Sequence, residues 1–210
     1  MELFIIRHGQ SIGNLIKEDM PDGELTELGR QQAAEVCEGM KTANVAYIVS
    51  SPLMRAIETA QPLARWMNLP IEVWKDTCEV RSKGPYKGPS PQRLAEMYPE
   101  TVCGPEIEED GWFCSGDDTE DTAAVRAKAV YARLRERFMG KRVALFAHSG
   151  FNRHLLLAAL GLSHHNGVSF HNDNGSIFWL TVQPDRTVLN YVGGPRVILE
   201  HENVKKPKLN

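Results

Sequence analysis

The sequence predicts an α/β fold, with a mostly parallel sheet and helices on both faces. Three observations lead there. Short apolar runs rich in β-branched and aromatic residues alternate with longer stretches of helix-forming composition, the pattern of repeated βα units. Several of these runs stop abruptly at polar and small residues, as strands do where they leave a sheet for a turn. The 210 residues suit one domain, 1–210, large enough to bury roughly 70% of its unfolded surface.

The elements follow in order. Leu3-Phe4-Ile5-Ile6 predicts a strand over 2–7, buried on both faces. Residues 10–24 read as a loop, with Pro21-Asp22-Gly23 as its turn signal. Thr26 is a candidate N-cap for a helix over 26–40. A second strand over 45–50 leads into a helix over 53–67, with Ser51 as its expected N-cap and Pro52 in its first turn. A short strand occupies 71–74. Residues 78–91, rich in Gly, Pro and Lys, read as loop, 91–98 as a short helix, and 101–118 as an irregular acidic stretch holding Trp112. A long helix over 119–139 has strong helix-forming composition. Strand 142–147 and helix 151–160 complete the alternation, and strands 176–182 and 187–192 form a hairpin around Pro184-Asp185. The polar tail, 200–210, is expected to fray.

Composition narrows the function. A formal net charge of −3 speaks against a general nucleic-acid or membrane surface. No apolar stretch approaches membrane-spanning length. Met1-Glu2 lead straight into the first strand without a signal pattern, so the expected location is cytoplasmic. The four cysteines lack zinc spacing and are expected to be free thiols, with a Cys103–Cys114 pairing across a loop as the minor alternative. His164-His165 and His171 show no coherent metal-ligand spacing. A homodimer is compatible with the chain, though nothing in it specifies one.

Three strand ends carry chemistry. The first strand ends in Arg7-His8-Gly9, at the edge where open α/β sheets bind ligands. A guanidinium beside an imidazole suits phosphate: the first grips oxygens and the second can attack phosphorus. The second strand delivers Arg55 about one turn into a helix, near its positive end. The third, ending Ala147-His148-Ser149-Gly150, brings a second histidine, with backbone N–H groups at the following helix start able to point at an anion. Each has a bland counterpart: a structural histidine, a solvent-facing arginine, a capping histidine. Taken together, they make His8 the candidate nucleophile, forming a phosphohistidine. Arg7 and Arg55 become the oxygen clamps. Nearby arginines should disfavour the imidazolium of His8, and a backbone carbonyl should fix its tautomer. His148, protonated near a phosphate dianion, would donate to an oxygen, and Asn14 would add an amide N–H. Ser149 belongs to the same phosphate-binding set. Two arginines and a histidine supply the positive field, so no metal and no cofactor are expected.

The segments Arg7-His8-Gly9-Gln10-Ser11-Ile12-Gly13-Asn14, 50–60 and Ala147-His148-Ser149-Gly150 resemble the histidine phosphatase superfamily, also called phosphoglycerate mutase-like. Residues 25–33 look like that family's first helix start, and the likeness covers 2–192. The resemblance implies a three-layer sandwich with one antiparallel strand, and a lid insertion over about 78–118. It further implies that an acidic residue after the third strand, here Glu79, is general acid toward the leaving group and then base for water. Glu58 and Asp76 are its rivals, and a loop pairing with Arg81 or Lys83 is the structural alternative. The loop 81–87 adds positive charge, and Arg81 is expected to bind a carboxylate or second phosphate on the substrate. The family's mutases carry Trp-Asn and Gly-Trp elements after the first motif, which this chain lacks, and its usual Gly-Glu-Ser is replaced by Asp117-Asp118-Thr119. The reading is therefore a metal-independent phosphatase acting on a small phosphorylated metabolite. A mutase-type phosphotransferase and a phospho-ligand or phosphoprotein binding module without turnover are the alternatives.

Overall fold

Along the first strand, β1 (Glu2–Arg7), side chains alternate between two buried layers. Phe4 and Ile6 enter one core, while Leu3 and Ile5 enter the other. The computed structural model describes residues 1–16 and 20–195; the expected fraying over 200–210 lies outside the described residues. The remaining strands of the main sheet are β2 (Tyr47–Ser50), β3 (Ile71–Val73), β5 (Thr101–Cys103), β7 (Arg142–Ala147), β8 (Ile177–Val182) and β9 (Thr187–Gly193). Their spatial order is β5-β3-β2-β7-β1-β8-β9. Pairing is parallel from β5 to β1, and β8 runs against both β1 and β9. One strand of seven therefore runs opposite to the rest, as expected.

Helices α2 (Glu27–Met40) and α3 (Met54–Met67) contribute Val36, Met40, Ile57 and Leu63 to the core beneath Phe4 and Ile6. The short α4 (Pro91–Met97) adds Leu94 there. Helices α5 (Glu120–Phe138) and α6 (Ser149–Ala159) cover the opposite face with Val130, Leu134, Phe138, Phe151 and Leu155. The result is three layers, helices–sheet–helices.

Some elements depart from the sequence reading. Residues 10–24 are not all loop: a single-turn helix, α1 (Ile12–Ile16), follows the first strand end. The segments 78–91 and 101–118 are not wholly irregular either. Tyr86–Lys87 (β4) pairs antiparallel with Phe113–Cys114 (β6), forming a two-stranded sheet within the insertion, and 101–103 is the edge strand β5. Ser51 does not cap α3, whose N-cap residue is Leu53 without a side-chain bond. Asp22, from the preceding loop, accepts from Met54 N at 2.6 Å instead. Thr26 caps α2 as expected, accepting from Gly29 N.

Candidate active site

The parallel register sets Arg7 against Ala147, so the next residues, His8 and His148, leave neighbouring strands side by side. Their ring centroids lie 5.1 Å apart. His8 is buried, and its ring has a defined tautomer. Nδ1 lies 2.6 Å from Gly9 O, which can only accept, so Nδ1 carries the hydrogen. Arg55 Nε donates to Nε2 at 3.3 Å, so Nε2 holds the lone pair. Burial first, then the Arg55 charge, hold His8 well below the ordinary imidazole range despite the Gly9 bond. The ring is a neutral base whose lone pair, at Nε2, faces Arg55.

Its surroundings are tightly fixed. Gly9 N donates to Thr59 Oγ1, whose hydroxyl donates to Arg55 O, tying the strand end to α3. A Cβ on Gly9 would stand 2.4 Å from Gly29 O, so only glycine lets this loop meet the start of α2. Asn174 Nδ2 donates to His8 O.

A cavity of about 320 Å³ opens over His8. Arg7, Arg55, Asn14 and Glu79 line it from the sheet side, and Arg81, Lys83, Tyr86 and Trp112 from the insertion. Arg7 Nη1 is anchored on Asn172 O at 2.5 Å, and Arg55 Nη1 on Pro21 O at 2.9 Å. Burial lowers the pKa of both guanidiniums from the usual arginine value. Asn14 Oδ1 accepts from Ser11 N, Ser11 Oγ and Asn174 Nδ2, which orients the amide. Asp22 sits behind Arg55, and burial outweighs its bonds to Met54 and Tyr86, pushing its carboxyl up to about 6.

Glu79 has a specific seat. Its carboxylate accepts from Val80 N at 2.8 Å, Phe151 N at 3.0 Å and Gly150 N at 3.3 Å. The N–H groups that open α6, expected to face a ligand, are thus taken by the protein's own carboxylate. Ser149 does not line the cavity, and its carbonyl accepts from Asn172 Nδ2. His148 is fully buried beside His8 rather than on the cavity wall. Its Nε2 lies 2.7 Å from Ser51 Oγ, while its Nδ1 is a buried atom without a partner among the described residues. Burial and then Arg55 hold it well below the ordinary imidazole range.

The sequence profile of the histidine phosphatase superfamily (branch 1) matches residues 3–193. The chain belongs to the histidine phosphatase superfamily. Phosphoserine phosphatase 1 of Hydrogenobacter thermophilus is 25% identical over 191 residues, 90% of each chain. Phosphoglycerate mutase-like protein 4 of Arabidopsis thaliana is 29% identical over 159 residues, 73% of this chain and 69% of that one. A mycobacterial glucosyl-3-phosphoglycerate phosphatase, solved with VO3, superposes with a TM-score of 0.69 at 25% identity, covering 92% of this chain and 99% of that one. This histidine phosphatase is a phosphoric monoester hydrolase.

The rivals of Glu79 have other work in the histidine phosphatase. Glu58 accepts from Leu25 N and Tyr98 OH, away from the cavity, and Asp76 does not line the cavity. Arg81 reaches the cavity wall and also donates to Gly84 O and Lys83 O, shaping its own loop. Sequence reasoning passed over Asp22, Ser51, Thr59, Asn172 and Asn174. Asp22 is visible in the sequence only as a turn residue and Ser51 only as a cap candidate, while Asn172-Asp173-Asn174-Gly175 carries the signal of a turn before a strand. All four cysteines are free thiols, but Cys114 contacts Cys78, not Cys103. The metal-ligand spacing judged incoherent in sequence is clustered in space: ligand atoms of Asp121, His164 and His165 lie within 4.8 Å of one another, outside the cavity lining. No helix among the described residues is long and apolar enough to cross a membrane.

Proposed function

We propose that this pocket hydrolyses a small phosphomonoester by in-line transfer of its phosphoryl group to His8 Nε2, followed by attack of water. The observation that carries this reading is the His8 ring itself. Gly9 O and Arg55 Nε fix the neutral tautomer that leaves a lone pair at Nε2 on the cavity floor. Arg55 Nε lies 3.3 Å from that nitrogen and Arg7 lines the same cavity, and the two would hold the equatorial oxygens, where positive charge matters most in phosphoryl transfer. The Asn14 amide on the cavity wall is the donor for one of those oxygens, and His148, its ring 5.1 Å from that of His8 and its Nδ1 unpartnered among the described residues, is the donor for another. Glu79 protonates the leaving oxygen and then takes a proton from the attacking water.

The substrate carries a second acidic group. Lys83 and Arg81 on the insertion wall supply positive charge beyond what the phosphoryl group requires. The four free thiols suit a reducing, cytoplasmic setting. The test is phosphate release from an aryl phosphate in the presence of a chelator, with wild type and His8→Ala side by side. Turnover in wild type that vanishes in His8→Ala, with a phosphorylated wild-type peptide spanning His8 trapped by acid-free quenching, is the expected result. Full turnover in His8→Ala would remove His8 as nucleophile.

A further inference from the structure

Two thiols line the cavity that the phosphohistidine chemistry does not use. Cys78 immediately precedes Glu79, and Cys114 lies on β6 of the insertion, opposite Tyr86. They come from segments far apart in sequence, yet both side chains line one cavity and pack in one apolar cluster, close enough for each to perturb the other's ionisation. Arg126, on α5, reaches both the Cys78 carbonyl at 2.7 Å and its Sγ at 3.5 Å. We propose that Cys78 and Cys114 form an oxidative modification site, in which peroxide closes a disulfide across the cavity wall and withdraws Glu79 from the reaction.

Chemically the pair is suited to that step. A thiol that accepts a hydrogen bond from its neighbour ionises more readily, and the Arg126 charge favours the thiolate of either. The Cys78 thiol and the Gly116 N–H pull the pKa of Cys114 down, while Cys114 and burial push that of Cys78 up. Cys114 thiolate attacks one peroxide oxygen; the O–O bond breaks, an S–O bond forms and hydroxide leaves. Cys78 sulfur then attacks the sulfenic sulfur, forming S–S as the S–O bond breaks and water departs, with the Cys78 proton carried off. Two thiols are oxidised, one peroxide is reduced, and two waters result.

The consequence follows from position. A disulfide holds its sulfurs about 2.0 Å apart, much closer than two unbonded sulfurs can pack. Closing it draws residue 78 toward the insertion and disturbs the seat of the adjacent carboxylate on Gly150 and Phe151. Displacement of a reacting group by about 1 Å can cost a hundredfold in rate. The loss of activity rests on the role given to Glu79 above, whereas the covalent bond does not.

The experiment treats the reduced full chain with hydrogen peroxide. It follows aryl phosphate turnover before and after dithiothreitol and maps peptides without reduction. Expected are a peptide linking 78 to 114, a fall in turnover of about tenfold or more, and recovery with dithiothreitol. Cys103→Ser should respond as wild type does. Cys114→Ser and Cys114→Ala should each keep the same turnover with and without peroxide, read as a ratio within each variant. Absence of the linked peptide overturns the modification site. A linked peptide with unchanged turnover overturns its control of activity, as does a loss that dithiothreitol fails to reverse, which would point to oxidation at another residue.

Discussion

His8 and His148 each stand one residue past a buried strand end, so the burial that keeps water from their rings also sets their charge. For His8 desolvation is the largest influence, with Arg55 the next and Arg7 smaller. A base held neutral this way stays competent to lower pH than a free imidazole would. The acid limb of kcat/KM that reports His8 should therefore fall below the ordinary histidine range. Arg55→Gln removes the largest charge opposing protonation, so the limb should move to higher pH. The same change deletes an oxygen clamp and should lower kcat by about 10²–10³-fold. A pH–rate profile of both proteins checks this, and a limb that stays in place would mean that Arg55 does not act on the His8 charge. At this scale the sequence was informative where chemistry is local. Arg7, His8, Asn14, Arg55 and Glu79 all reach one cavity. The contacts of Ser51 with His148 and of Thr59 with Gly9 were not legible because these partners lie far along the chain. Nothing in a serine or threonine predicts which distant group it will meet.

At the scale of elements, α3 and α6 both begin with a carboxylate borrowed from elsewhere. Asp22 takes the first N–H of α3, and Glu79 takes two at the start of α6. Sequence rules for caps look to the residue just before the helix, which is why Ser51 was chosen and Asp22 missed. Strands of two or three residues, such as β4, β5 and β6, are too short to show a period, so the insertion read as loop. The long βα units, by contrast, were legible nearly to their ends. Gly150 makes the Glu79 seat: a Cβ there would stand 2.8 Å from Glu79 Oε1. Gly150→Ala should displace that carboxylate and lower kcat by about tenfold to a hundredfold, while phosphate affinity changes little. Comparing kcat with inhibition by inorganic phosphate separates the two effects. Asp22 carries a pH signature of its own. Its folded pKa of about 6 exceeds the unfolded 3.8, so the unfolded chain binds fewer protons between these values and stability falls as pH rises through that window. Asp22→Asn should remove a cost of up to about 3 kcal/mol that is fully present above pH 6. Thermal melts at pH 4 and pH 7 should show the variant gaining on wild type at the higher pH. Parallel curves would place the Asp22 ionisation below that window.

Over the whole molecule, the sheet supplies the reacting groups and the insertion supplies the far wall of the cavity. The neck of the insertion is fastened by Arg126, which donates to Cys78 O and to Asp118 Oδ2, while Asp118 Oδ2 also accepts from Arg81 N. Its far wall rests on Asp22 through Tyr86 OH, with Trp112 packed edge-on against Tyr86. A site divided this way separates reaction from recognition: the strand ends act on any phosphoryl group, and the wall chooses what that group is attached to. Lys83 lies on that wall. Lys83→Gln should therefore raise KM severalfold for a phosphomonoester bearing a second carboxylate or phosphate, through loss of one charge–charge attraction in a partly exposed setting. For an uncharged aryl phosphate the same change has no partner to lose, and KM should move little, with kcat alike for both substrates. The ratio of the two KM effects is the measurement, because a general disturbance of the insertion would raise both. Equal shifts would transfer recognition from Lys83 to the rest of the wall, leaving the division between strand ends and insertion to be tested at Arg81.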